Sequence, residues 1–386
     1  MTQTIDRPLH PTTSTGPRKR PGGASHLTDE DVAEIGRRLD EIRASVMDDL
    51  GQEDANYIRR MIRLQRTMEI AGRAALLLGR NKAAWAAGTS LLSLAKILEN
   101  MEIGHNVIHG QWDWMRDPEI HSSTWEWDFV APAAGWKHTH NDLHHTWTNV
   151  VGKDSDVGYD ILRVTDEQPW EPKYLFNIPL NMILAPLFEW GIAIYDLELP
   201  LVREGKKPKE QFLAELKELG KKTLGQIAKD YTATPLLAQF VSKSGKHALL
   251  GTVIANMVRN IWAHSVIFCG HFPDGVEAFQ EDVIEGETRG DWYVRQMLGS
   301  ANISGSEIMH VLTGNLSHQV EHHIFPDMPS NRYKEVAPKV KAICREFGLE
   351  YVEGPLPKQV FESWRTIAKL SLPPKGWRPW RRNSSK

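Results

Sequence analysis

At 386 residues, with 46 lysines and arginines against 49 acidic residues, the chain lacks the bulk charge that would recruit nucleic acid. Its two cysteines, Cys269 and Cys344, exclude a disulfide framework and are too few for an iron–sulfur cluster. Any bound metal must therefore be held by histidine or carboxylate. The length accommodates two average domains, or one larger domain with a membrane-embedded part.

Residues 1–27 read as a disordered N-terminal tail. Met1–Pro21 lacks the apolar run of a secretory signal and is rich in Pro, Thr, Arg and Lys. One domain is expected over 28–374, followed by a basic C-terminal tail over 375–386. Asp29–Arg66 is a charged amphipathic helical stretch. Apolar stretches then follow at Thr67–Leu78, Ala83–Met101, Tyr174–Leu197, Thr232–Val241 and Ala248–Gly270. Lys334–Phe347 and Gln359–Ser371 have the pattern of surface helices. No repeat, phosphate loop or dinucleotide fingerprint is present.

Eight of the 16 histidines fall in three boxes: His105-Asn-Val-Ile-His109, His138-Thr-His140-Asn-Asp-Leu-His144-His145 and Gln319-Val-Glu-His322-His323. Spacings of three or four residues put imidazoles on one helix face. Imidazole suits iron, zinc, copper or nickel, and eight or more donors exceed what one tetrahedral zinc uses. The boxes therefore read as a two-metal site. Asp154 and Asp156, just after the second box, could orient ligand histidines or sit as solvated turn residues. Six of the 14 tryptophans (Trp112, Trp114, Trp125, Trp127, Trp136, Trp147) surround the boxes, as core packing or as a substrate wall.

Convergence of the boxes constrains topology, because an even number of membrane crossings must separate them. Residues 110–173 are too polar to cross. Between the second and third boxes lie three apolar stretches, so only two can span. Segment 198–230 is lysine-rich, which places it on the cytoplasmic side. The expected fold is thus an all-α integral membrane protein. Two transmembrane hairpins (67–78 with 83–101, and 232–241 with 248–270) carry a cytoplasmic helical cap with the histidine site. The Pro-containing stretch 174–197 is re-entrant or interfacial. The expected location is the cell's inner (plasma) membrane, with the site facing the cytoplasm.

The boxes HxxxH, HNxxHH followed by Thr-Trp-Thr-Asn, and His-Gln-Val-Glu-His-His-Ile-Phe-Pro resemble those of the membrane fatty-acid desaturases. The likeness is to the branch whose third box opens with glutamine, and it runs from about Leu27 to Pro374. The resemblance implies a non-haem di-iron centre that uses O2 to desaturate a long acyl chain, carried as a thioester or a lipid. It implies His105, His109, His140, His144, His145, His322 and His323 as ligands, with His138 spare and Gln319 where the other branch has histidine. A further histidine is implied from the last spanning helix. His264, preceded by Asn260 in an Asn-x-x-x-His run, and His271 both qualify, and position favours His271. The electrons would come from a separate NAD(P)H-dependent flavin and iron–sulfur reductase or a ferredoxin, because the chain has no such fingerprint. Competing readings are a di-iron hydroxylase of alkanes or lipids, a non-catalytic membrane metal binder, and a soluble carboxylate di-iron protein built on Glu102/His105 and Glu307/His310.

Overall fold

The structure is a computed structural model describing residues 18–375. The expected tails at 1–17 and 376–386 lie outside the described residues. Residues 18–27, expected within the N-terminal tail, are instead packed down. Ala24 and Leu27 are buried, and Arg18 and Arg20 both donate to the buried Asp291 carboxylate, at 2.6 and 3.1 Å. A buried carboxylate needs cations and donors. Asp291 takes them from this segment and from Thr288, whose helix it caps.

The first helix, α1 (Asp29–Asp48), begins at a capping box between Thr28 and Asp31. It buries Val32, Ile35 and Leu39 in a core shared with α9 (Arg289–Leu298) and α11 (Tyr333–Glu346). The next two helices, α2 (Gln52–Leu76) and α3 (Lys82–Leu98), form a tight hairpin. Asn81 caps α3 by accepting from the Ala83 and Ala84 amides. Beyond Leu98 the same rod continues as a π-helix over Glu99–His105.

Residues 174–197 break at Pro186 into α4 (Asn177–Leu184) and α5 (Phe188–Tyr195). Taken with their flanks (Pro172–Leu184 and Phe188–Arg203), the two halves are bent by 118°. Lysine-rich α6 (Lys209–Gln226) lies on the surface with no buried residue. A second pair, α7 (Thr234–Ser242) and α8 (Gly245–His271), packs on α3. The short α10 (Gln319–Ile324) carries the third box, and α12 (Leu356–Leu370) covers the end of α8. Among the described residues the strands are one parallel pair, β1 (Ala301–Ser304) with β2 (Val352–Pro355), beside an isolated bridge between Val150 and Phe279.

Among the described residues no single helix is long and apolar enough to cross a membrane; only the bent pair passes by length and composition. The charges interrupting the apolar helices are paired. Lys96 of α3 donates to Asp230 and Asp128 at 2.7 and 3.0 Å, Arg73 of α2 donates to Asp230, and Arg259 of α8 pairs with Glu189 of α5.

The hairpin of α2 and α3 closes on two glycines. A Cβ at Gly88 would lie 2.9 Å from the Gly72 carbonyl oxygen and 3.0 Å from the Leu76 amide, both rigid backbone of α2. Replacing a mid-helix glycine gains about 1 kcal/mol of propensity, but forcing two helices apart costs about 1–3 kcal/mol. Gly88→Ala is therefore expected to lower the thermal midpoint, read from the loss of helical circular dichroism on heating.

Candidate metal centre

Three separate parts of the chain deliver the histidines. His105 ends the π-helical extension of α3 and His109 follows one turn on. The second box lies on another π-helical stretch, Lys137–His144. π-Helical turns are rare and cluster at functional sites. Here they set His140 and His144 face to face, with ring centres 4.9 Å apart at 24°. His322 and His323 come from α10, and His271 is the last residue of α8.

Ligand-capable atoms of His105, His109, His140 and His322 all lie within 4.8 Å of one another, and so do those of His144, His271 and His323. His145 sits between the two sets. Its ring stacks on His323 at 4.4 Å and meets His109 and His322 edge-on at 4.6 and 4.7 Å.

The outward nitrogens explain how these rings are held. His144 Nδ1 donates to Asp154 at 2.9 Å and His140 Nδ1 faces Asp156 at 3.3 Å. His271 Nδ1 donates to the Gly299 carbonyl at 3.2 Å. His323 Nδ1 donates to Gln296 Oε1 at 3.0 Å, and that amide is oriented because its NH2 bonds the His145 carbonyl. His322 Nδ1 meets the Tyr333 hydroxyl at 3.2 Å, which itself donates to the Phe325 carbonyl. His105 Nδ1 donates to Asn106 Oδ1, whose NH2 is fixed by the carbonyls of Glu102 and Gly314. With the proton on Nδ1, each Nε2 presents a lone pair inward.

Those inward atoms fit a cation. The Nε2 atoms of His109, His140 and His322 and both ring nitrogens of His145 are buried without any partner. His271 Nε2 and His323 Nε2 lie 3.2 Å apart, two acceptors facing each other. The Gln319 NH2 bridges them at 3.0 and 3.1 Å, while its own Oε1 lacks a partner. Burial pushes His105 down to about 4 and holds His109, His140, His145, His322 and His323 well below the usual histidine range. These rings are neutral at physiological pH and free to bind metal. For His144, burial is outweighed by Asp154 and Asp156, and its value is raised.

Other residues singled out by sequence lie elsewhere. His138 is half-exposed beside Asp142 and Glu198. His264 is two turns deeper in α8, where its Nε2 bonds Asn181 Oδ1 at 2.8 Å and its ring stacks on Phe268. Asn260 bonds the Pro186 carbonyl and accepts from Arg259. The Glu102 carboxylate accepts from Tyr57, Asn315 and Ser330, and Glu307 is a surface residue beside Lys334. Neither glutamate of the carboxylate-protein reading joins a metal-capable group among the described residues.

His105, His140 and His271 line an apolar cavity together with Trp127, Phe129, Phe188 and Ile192, and Trp136, also in the lining, stacks on His140 at 4.3 Å and 21°. Trp127 also lines a charged surface basin, so it separates that basin from the cavity. Trp112 is instead plain core, packed with Ile58 and Val107. Sequence reasoning missed Tyr333, Asn106 and Thr148, whose hydroxyl lies 3.1 Å from His323 Nδ1, as supports of the rings, since no local pattern marks them.

Asp154 also accepts from the Asn149 and Asp156 amides, so it holds the loop as well as His144. Asp154→Asn is expected to weaken metal binding about 10- to 100-fold, measured by competition with a chromophoric chelator.

Comparison with known proteins agrees with this geometry. Residues 83–355 match the family described as fatty acid desaturase. The chain is 47% identical over 352 residues to a protein named NADPH-dependent stearoyl-CoA 9-desaturase from Mycobacterium tuberculosis, covering 91% of this chain and 82% of that one. It is 28% identical over 288 residues to an sn-1 linoleoyl-lipid 6-desaturase of Synechocystis, covering 72% and 77%. By its sequence and its histidine boxes, this chain belongs to the fatty acid desaturase family.

Proposed function

We propose that the cluster holds two irons and that the enzyme introduces a cis double bond into a long saturated acyl chain, with O2 as oxidant. The observation that carries this reading is the set of buried Nε2 atoms with no partner, in a cluster whose His105, His140 and His271 line an apolar cavity. His105, His109, His140 and His322 would hold one iron, and His144, His271 and His323 the other, with His145 between them. Gln319 would complete the second set with its amide oxygen after rotation about the last side-chain bond. Two irons there supply O2 activation and removal of hydrogen from an unactivated chain.

The protein's own part is positioning and exclusion. Trp136 covers His140, and Trp127 and Phe129 shape the apolar side along which methylenes lie. Asp154, Asp156, Gln296 and Tyr333 keep His144, His140, His323 and His322 in the tautomer that leaves Nε2 free. The relative's stearoyl-CoA supports an acyl thioester as substrate. Its dependence on NADPH, set beside a chain with no nucleotide fingerprint, supports a separate reductase that docks on the face of the histidine site.

A membrane setting belongs to the same proposal: two helical hairpins in the bilayer, the bent pair α4–α5 at its interface and the site on the cytoplasmic side of the plasma membrane. Most of the exposed large apolar side chains fall on the apolar stretches, among them Ile70, Met182, Leu237, Phe240 and Ile261. Such patches are unusual on a soluble monomer.

Metal analysis of the purified chain is expected to give two irons, and His144→Ala to lose both iron and turnover. Mass spectrometry of acyl products from a host fed stearate decides the chemistry. A product lighter by two hydrogens supports desaturation, and one heavier by an oxygen supports the hydroxylase alternative. The purified chain with NADPH and O2 alone is expected to form no more than a trace of product until a reductase is added.

A further inference from the structure

Beside the histidine cavity lies a buried carboxyl that meets no cation. Asp196 follows α5, and one of its oxygens accepts from the Thr139 hydroxyl at 2.7 Å. The other oxygen is buried without any hydrogen-bond partner. Thr139 stands between His138 and His140 on the π-helical stretch and lines the cavity. The charged groups around Asp196 are Asp156, Glu198 and Lys207. The Lys207 ammonium is committed to Glu198, Glu215 and the Leu197 carbonyl.

Burial pushes the Asp196 carboxyl up to about 8, so it carries a proton at neutral pH. A side chain needed only to tie α5 to the second box could be asparagine, which accepts the same hydrogen bond without an ionisable group in an apolar wall. Two residues on, Glu198 is partly exposed.

Desaturation needs protons at the cavity. The segment –CH2–CH2– becomes –CH=CH– as two C–H bonds and the O–O bond break. The two hydrogens, two electrons from the reductase and two protons from solvent leave with both oxygen atoms as two waters. We propose that Asp196 and the Thr139 hydroxyl form a relay that carries these protons from the partly exposed side of Asp196, where Glu198 stands, to the histidine cavity. Reprotonated from solvent, Asp196 donates to the Thr139 oxygen and gives it that proton as Thr139 passes its own into the cavity, which leaves Thr139 donating to the carboxylate as the structure shows. The relay rests on the O2-dependent desaturation proposed above. Neither residue is a metal ligand in that reading.

The test uses the full chain, iron-loaded, with reductase, NADPH and stearoyl-CoA. Asp196→Asn and Thr139→Val are each expected to keep iron but to turn over about 100-fold more slowly, with a larger solvent deuterium isotope effect. Thr139→Ser is expected to restore most of what Thr139→Val loses. Infrared difference spectra of the metal-free protein supply an arm independent of turnover: a protonated-carboxyl band component that shifts in D2O, present in the wild type and missing from Asp196→Asn, whereas the components of other buried carboxyls such as Glu102 and Glu321 are common to both. If Asp196→Asn loses iron, Thr139→Val and the infrared band decide. A wild type that turns over beside variants with its rate and isotope effect overturns the relay alone, as does the absence of that band. A wild type that consumes no O2 overturns the functional reading and the relay together.

Discussion

The architecture depends on the cost of burying neutral imidazoles. Each ring has one N–H to satisfy and one lone pair to present, and in an apolar interior neither can be left to water. The chain answers by ringing the cluster with acceptors: a carboxylate pair after the second box, the Gly299 carbonyl at the end of α9, the Gln296 amide and the Tyr333 hydroxyl. Helices α9 and α11, with Gly299 beyond α9 and the loop at 149–156, are therefore the scaffold that fixes which nitrogen of His140, His144, His271, His322 and His323 faces inward. The capping of α9 by Asp291, and the clamping of Asp291 by Arg18 and Arg20, carry that order out to the N-terminal segment.

A second layer of polar contacts shapes the cavity from the opposite side. The bent pair α4–α5 exposes Met182, Ile183 and Ile194, yet its inner face is pinned by side-chain hydrogen bonds. Asn177 binds the carbonyls of Arg163 and Ile367, Asn181 meets His264, and Tyr195 donates to Asp156. Glu189 and Arg259 join α5 to α8. These contacts hold Phe188 and Ile192 against the cavity, where apolar packing alone would let a kinked segment slide. His264 belongs to this wall-fixing system.

Much of this was legible in the sequence because its signals are local. The paired spacing of the boxes depends only on neighbours a turn apart. The break at Pro186 and the position of His271 at the end of α8 were readable for the same reason. The π-helical stretches were not, because a widened turn is fixed by what the ring must reach across space. Tyr333 and Gln296 were invisible as ring supports because each meets its histidine only in the folded chain. Residues 18–27 looked like tail because basic and proline-rich composition signals solvation, and nothing nearby shows that Asp291 is waiting for a cation. The order of His138, exposed, and Thr139, buried beside Asp196, also follows from tertiary placement.

The parallel pairing of β1 with β2 has a consequence for how the centre comes into being. β1 carries Asn302, which accepts from the Val320 amide and donates to Glu321, and so anchors the start of the third box. Its partner strand and Tyr351, which also bonds Glu321, are made only after the last histidine has been synthesised. During translation the first two boxes thus stand ready long before the third can be seated, and the third is seated by chain that emerges later still. In the two-iron reading proposed above, loading of metal is consequently an event of the finished polypeptide, completed only when the last strand has seated the third box.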